Sequence, residues 1–446
     1  LLHRFEGGMG EHGPHAVIHG PDGWLYVVAG NHAFLKIGKG LAPNPEALAS
    51  NSPLVRWPTG GQGPDQGKAG STEDVLLPRL DDARGHAAGL RAPGGTIWRM
   101  DLNGQNPSLI TAGFRNQFDA AFNSAGELFS FDSDMEWDEG LPWYRAVRIM
   151  HCPPGGDFLW RTGAANTPNY YLDSLPPLHE TGRGSPVGVA VYDHFALGER
   201  YRGAVLCPDW SIGVLYALLP KVKGATYGGE VEKLCFGTPM NITDVDVGPE
   251  GGIYFTLGGR GTQGGVYRIM PENAPGSFVL ADRTPDILAG RLATLPQAQS
   301  AYARAEVAKR IGTKGWKPEL VAEALMKVAA NDKMPVEQRV AALSAIPTHG
   351  MVAEAKALHD LLNDKEEQVR AQAVWLIGVQ GKHTDASILE KRLVADPSAF
   401  VKRRVCEALI RLGIEPKVES VWPLLASEDP YLRTAGRLVI QRIDPA

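Results

Sequence analysis

The sequence predicts a two-part molecule: an all-β propeller over residues 1–271 and an all-α solenoid over 291–446, joined by a linker at 272–290. Three observations carry that reading. Glycine and proline are dense up to about residue 276 and sparse afterwards. The first part repeats a turn followed by a short apolar strand, and the last part repeats a helical unit every 32 or 33 residues.

The turn-and-strand unit occurs at Gly20-Pro-Asp-Gly-Trp-Leu-Tyr-Val-Val28, Asn123-Ser-Ala-Gly-Glu-Leu-Phe-Ser-Phe131 and Gly248-Pro-Glu-Gly-Gly-Ile-Tyr-Phe-Thr256. Pro21 presets φ, and Asp22-Gly23 tolerate the left-handed backbone a tight reversal needs. The residues that follow are β-branched or aromatic, the types that suit a pleated, half-buried surface. Further strands fit at Gly95–Met100, Val187–Tyr192, Gly203–Cys207 and Gly213–Leu218. Such repetition indicates radial blades. Residues 36–93 lack periodicity and read as a long loop over one face. A blade takes ~40–50 residues, so residues 1–271 supply about five, the chain opening partway through one. A six-bladed ring would draw on residues upstream of Leu1.

In the second part, Asp332, Asp364, Asp396 and Asp429 recur at 32, 32 and 33 residues. Each is read as the cap of a helix whose apolar residues follow at helical spacing, as in Val369, Ala373, Leu376 and Ile377. Helix pairs of this length stack into a solenoid, and the pattern resembles short HEAT-type repeats.

Composition narrows the function. A formal net charge of -5 and the lack of a basic tract argue against nucleic acid. No apolar run approaches the ~18 residues of a membrane span. The four cysteines form no CxxC or CxxCH, so neither a zinc ribbon nor a haem attachment is expected. The chain opens Leu1-Leu-His-Arg-Phe, without Met or a signal peptide, and reads as processed, trimmed or a fragment.

Five of the 12 histidines precede residue 33, around the first hairpin. His12 and His15 stand before its first strand and His32 after its second, so they meet at one end of a blade. His12 is a candidate base or an ordinary loop histidine; His15 and His32 read as supporting residues. Arg115-Asn116 stands just before the next hairpin, facing the channel or pairing between blades. Asp132, Asp134, Glu136 and Asp138 alternate along a strand, which predicts either a cation site or a solvated edge. Trp137, Trp143, Tyr144, Trp160, Tyr170 and Tyr171 read as inter-blade core or a sugar-stacking platform. Gly258-Gly-Arg-Gly-Thr-Gln-Gly-Gly265 leads into a strand rather than a helix, which excludes a phosphate loop. Arg260 there, and Arg183 in Gly182-Arg-Gly-Ser-Pro186, are candidate anion contacts.

Several segments carry a family resemblance: His12-Gly-Pro-His15 with its turn, Gly113-Phe-Arg-Asn-Gln-Phe-Asp119, Asp132-Ser-Asp-Met-Glu-Trp-Asp138, Pro142-Trp-Tyr-Arg145, Asp173-Ser-Leu-Pro-Pro177 and Gly182–Pro186. On these the first 270 residues resemble the glucose/sorbosone dehydrogenase-like propellers that bind pyrroloquinoline quinone. More closely, the chain resembles the planctomycete-type membrane-bound dehydrogenases with C-terminal HEAT repeats. The resemblance implies oxidation of a sugar or related alcohol, with His12 as general base and Arg115 assisting. It implies quinone contacts from Arg115 and Asn116, with Arg183 and Arg260 as candidate anion contacts at the channel mouth. Calcium falls on Asp132 and Asp134. It also implies a periplasmic or cell-envelope location and a HEAT domain docking a partner, a cytochrome among the candidates. Three positions depart from the family: Cys207-Pro-Asp-Trp-Ser-Ile212 replaces basic residues that hold the quinone carboxylates, Asp193 replaces a lysine, and the residues that carry calcium next to the quinone are changed to Asp132-Ser-Asp134. The rival reading is a non-catalytic binding or scaffold protein using both surfaces.

Overall fold

The computed structural model describes residues 5–7, 10–35, 94–133, 137–138, 141–142, 146–161, 165–166, 174–259, 261–272, 278, 280–281, 283–313 and 316–443. Four sheets of three or more strands follow one another along the N-terminal part, antiparallel apart from a two-residue strand, Gly156–Asp157, that pairs parallel to Ser108–Phe114 at the edge of the first. The first comprises β1 (Pro14–His19), β2 (Leu25–Ala29), β3 (Gly95–Met100) and β4 (Ser108–Phe114). The second comprises β5 (Ala120–Phe122), β6 (Leu128–Asp132), β7 (Val147–His151) and β8 (His179–Gly182). The third comprises β9 (Ala190–Tyr192), β10 (Ala204–Asp209), β11 (Val214–Lys223) and β12 (Thr226–Phe236). The fourth has three strands, β13 (Ile242–Val247), β14 (Ile253–Gly259) and β15 (Thr262–Ile269).

Strands within each sheet pair in chain order, and the first strands of successive sheets touch, β1 to β5, β5 to β9 and β9 to β13. The sheets thus stand side by side in chain order; each is called a blade below. Four sheets of three or more strands, and three two-stranded ones, are present among the described residues, against the six-bladed ring expected from sequence; the 36–93 loop lies outside the described residues. All three expected hairpin turns join the first and second strands of their sheets.

The C-terminal part is helical: α1 (Pro285–Leu292), α2 (Ala301–Thr313), α3 (Pro318–Ala330), α4 (Val336–Thr348), α5 (Ala355–Leu361), α6 (Glu367–Gln380), α7 (Ala386–Ala395), α8 (Ala399–Leu412), α9 (Val418–Val421) and α10 (Pro430–Ile440). The recurring aspartates do more than cap. Only Asp429 stands at a helix N-cap, accepting from Tyr431 and Leu432. Asp364 and Asp396 lie in the preceding turns and pair with an arginine of the repeat before, Arg339 and Arg370 (Nε to Oδ2 2.8 Å). These buried pairs tie each repeat to the next.

The third arginine of this series, Arg403, leaves the ladder. It donates to Glu127 of β6's hairpin, to Glu407, and through Nε to the Ala225 carbonyl (2.6 Å). The Ala225 amide in turn donates to Asp429 (2.6 Å), so the β11–β12 turn is inserted between two repeats. Around it, Ser344 donates to the Ser124 carbonyl (2.6 Å), Arg404 to Ala125 (2.9 Å), and Thr348 to Pro21 (3.2 Å). Arg411 pairs with Asp22 (3.0 Å). The even-numbered helices thus bury the turn ends of the blades. One apolar core is continuous from Phe129 and Val147 to Trp375 and Leu438.

Candidate functional site

The sequence-predicted residues gather at the opposite end of the same strands. The loop before β1 and the loop after β2 are zipped by backbone bonds, Gly30 to Gly13 (2.9 Å) and His32 to His12 (3.1 Å). Gly30 is needed there, because a Cβ would lie 2.6 Å from the His12 carbonyl oxygen. His12 is 3% exposed, and its Nδ1 lies 2.6 Å from Asn31 Oδ1. An amide oxygen only accepts, so Nδ1 carries the proton and Nε2 is the basic nitrogen. The His32 ring is 4.5 Å away, tilted by 38°.

Asn116 joins this blade to the next. Its Nδ2 donates to the Glu11 carbonyl (3.0 Å), and its Oδ1 accepts from His15 Nε2 (2.7 Å). Burial lowers the pKa of His15, with the Asn116 bond acting against the shift. Phe118 stacks on the His15 ring at 4.4 Å. The amides of Arg115 and Asn116 both donate to Asp132, at 3.2 and 2.9 Å, and Arg115 Nη1 donates to Ser133 (3.1 Å).

Asp132 is fully buried, and Arg148 pairs with it at 3.2 Å. Burial raises its carboxyl, opposed by Arg148 and the two backbone amides. Its oxygens serve three donors, which makes it an anchor for the Arg115-Asn116 loop. Asp134 and Arg260 lie outside the described residues, as do the side chains of Glu136 and Asp138. Among the described residues, no group of three or more His, Cys, Asp or Glu side chains is close enough to hold a metal. Of the aromatic group, Trp160 is fully buried core; the side chains of the others lie outside the described residues.

The same device recurs in the third blade. Asp209, at the end of β10, accepts from the Ser185 amide (3.0 Å) and from Ser211 (3.0 Å) and Ile212 (3.2 Å). Asn31, Asp132 and Asp209 all follow the second strand of their sheet, and each holds the loop that enters that sheet. Aligning the strand ends in the sequence would have revealed the triplet; reading each hairpin separately did not. Arg183 is exposed in the β8–β9 connection. Asp193 is not at this end: it pairs with Arg202 (3.2 Å) beside the helices, which corrects its reading as a replaced cofactor clamp.

A family model of HEAT repeats matches residues 322–410 and 355–441, so HEAT repeats are present in the C-terminal helical part. No curated protein matches the chain in sequence. Among solved structures, the chain is similar to an oxidoreductase assigned as a glucose dehydrogenase from Thermus thermophilus, with 18% identity and TM-score 0.37 over 58% of this chain and 66% of that one. It is also similar to the quinone-bound aldose sugar dehydrogenase of Streptomyces coelicolor, with 13% identity and TM-score 0.33 over 57% and 61%. The chain spans less than two thirds of the length of either structure.

Proposed function

We propose that the far end of the blades is the proton-abstracting site of a dehydrogenase acting on a sugar or related alcohol, with His12 as general base. The observation that carries this reading is the 2.6 Å contact between His12 Nδ1 and Asn31 Oδ1. It fixes one tautomer and orients the ring, so that Nε2 is the nitrogen that accepts a proton from a substrate hydroxyl. Asn116 holds the His12 loop through the Glu11 carbonyl. Arg115, 5% exposed beside it, supplies positive charge for an oxyanion.

The resemblance implies pyrroloquinoline quinone as electron acceptor, but the described residues do not fit its three carboxylates. Arg148 is already neutralised by Asp132, and the anchor in the third blade is Asp209, itself an anion. No step is therefore routed through the quinone. That same mismatch favours a second reading, a binding protein that keeps the His12 pocket without the cofactor. In either case an added partner of the HEAT repeats, a cytochrome included, meets the odd-numbered helices, because the even-numbered ones bury the blade turns. A cell-envelope location accompanies the first reading.

The test is dye reduction with a panel of sugars, run with and without added quinone and calcium. We expect turnover that falls ~10²-fold or more in His12→Ala. Equal turnover in the variant removes His12 as base. Sugar binding by calorimetry, without retained quinone absorbance or turnover, establishes the binding reading instead.

A further inference from the structure

At the docking end a cavity of ≈ 440 Å³ opens between the third blade and the HEAT layer. Its volume lies in the range of small-molecule sites, ~300–1,000 Å³. The blade lines it with Asp193, Glu199 and Arg202, and α4 with Glu337 and Gln338. Gln299, before α2, and His349, after α4, complete the polar side. Leu292, Leu295 and Ala298 add apolar surface. Ser344 and Thr348 also line it, but their hydroxyls already donate to the Ser124 and Pro21 carbonyls.

Much of the other hydrogen-bonding capacity is uncommitted. The Arg202 guanidinium gives only Nε to Asp193, at 3.2 Å, and the Gln299 amide gives only Oε1 to Arg304, at 2.7 Å. The side chains of Gln338, Glu199 and Glu337 have no hydrogen-bond partner among the described residues. Burial, with the Arg304 guanidinium adding to it, lowers the pKa of His349 to about 3, so its ring is neutral. The lining thus holds free donors on Arg202, Gln299 and Gln338, and free acceptors on Glu199, Glu337 and Gln338.

That mixture selects the ligand. An ammonium group only donates, and would leave the guanidinium and amide donors unmatched. A phosphate or carboxylate only accepts, and meets three carboxylates against one guanidinium. A hydroxyl both donates and accepts, so it can pair with every one of these groups. We propose that this cavity binds a neutral sugar, its hydroxyls on the free amide and charged groups and its C–H surface on the leucines. The site is separate from the His12 pocket, which lies at the other end of the blades, and does not rest on the dehydrogenase reading.

Isothermal titration of the full chain with methyl α-glucoside and with trehalose tests the proposal, since both have blocked anomeric carbons. We expect saturable one-site binding of one or both, with Kd in the range of about 0.1–1 mM. Glucose 6-phosphate should bind about tenfold more weakly or worse, and cadaverine should not saturate. Gln338→Ala should weaken sugar binding about three- to tenfold, and Ala341→Phe, which fills the cavity, should abolish it. Both positions are partly exposed, so neither change threatens folding. His12→Ala should leave the affinity unchanged. Saturable binding of neither sugar, equal or tighter binding of the phosphate or the diamine, unchanged affinity in Gln338→Ala or Ala341→Phe, or loss in His12→Ala would each overturn it.

Discussion

The two ends of the blades bury polar groups in contrasting ways. At the docking end the groups are ions: Glu127 meets Arg403 and Arg404, with His151 at 2.8 Å, and Asp22 meets Arg411 and Arg99. Every one of these contacts crosses between the HEAT layer and a turn or ties that turn to its own blade. At the far end, His12 and His15 meet the amides of Asn31 and Asn116, and the carboxylates Asp132 and Asp209 sit at strand ends holding backbone amides. Buried ion clusters are costly to break, whereas neutral hydrogen bonds orient a ring without fixing its charge. The docking end is thus held by buried ions, and the far end by hydrogen bonds that orient its imidazoles.

The largest expected break in this contrast is Glu127→Gln. It leaves the buried Arg403 and Arg404 with Glu407 as their remaining carboxylate and should cost about 3–5 kcal/mol, read from urea unfolding. A loss below about 1 kcal/mol would mean that apolar packing alone holds the solenoid to the blades.

Asp132→Asn comes next. The new amide keeps one acceptor oxygen for two backbone amides and removes the partner of Arg148, at a cost of about 2–3 kcal/mol. Amide exchange at Arg115 and Asn116 should speed up while that at Ala225 stays slow. Equal acceleration at both would show that the two ends are not separable.

The third prediction concerns pH. Burial alone would raise Glu127, but Arg403, then Arg404 and His151, hold its carboxyl well below its ordinary value of 4.5. A carboxylate lowered in the folded state adds stability that is complete above the unfolded value and is lost as pH falls toward the folded one. The molecule should therefore lose stability progressively below about pH 4.5, and Glu127→Gln should flatten that slope. An unchanged slope would place the acid sensitivity elsewhere.

The smallest effect is expected from Thr284→Ala, away from both ends. Thr284 caps α1 by accepting from Ile287 (3.2 Å), and its loss should cost about 0.5–1 kcal/mol in thermal unfolding. A cost matching that of Asp132→Asn would show that the contrast between ends is not one of burial.

Much of the fold is legible in the chain because its signals are local. Pro21-Asp22-Gly23 makes a turn from its own φ preferences, and Val369 to Ile377 makes a helical stripe from its own spacing. The functional partners are less legible. His12 and Asn31 are 19 residues apart, and Asn116 reaches Glu11 across 105. The alternating acids from Asp132 to Asp138 look like one charged face, yet Asp132 turns inward to two backbone amides. Asp364 and Asp396 look like caps because the arginines that claim them lie in the preceding repeat, 25 and 26 residues back.

The sequence by itself determined the two periods, the blade turns, the HEAT repeats and the presence of His12 beside a hairpin. Each follows from neighbours within a turn or two of chain. Only the tertiary structure decided that the solenoid covers the turn ends, that Arg403 leaves its ladder for Glu127, and that Asn31 sets the His12 tautomer. Those outcomes depend on which buried donors and acceptors meet across distant segments, and burial makes each unpaired group too costly to leave alone.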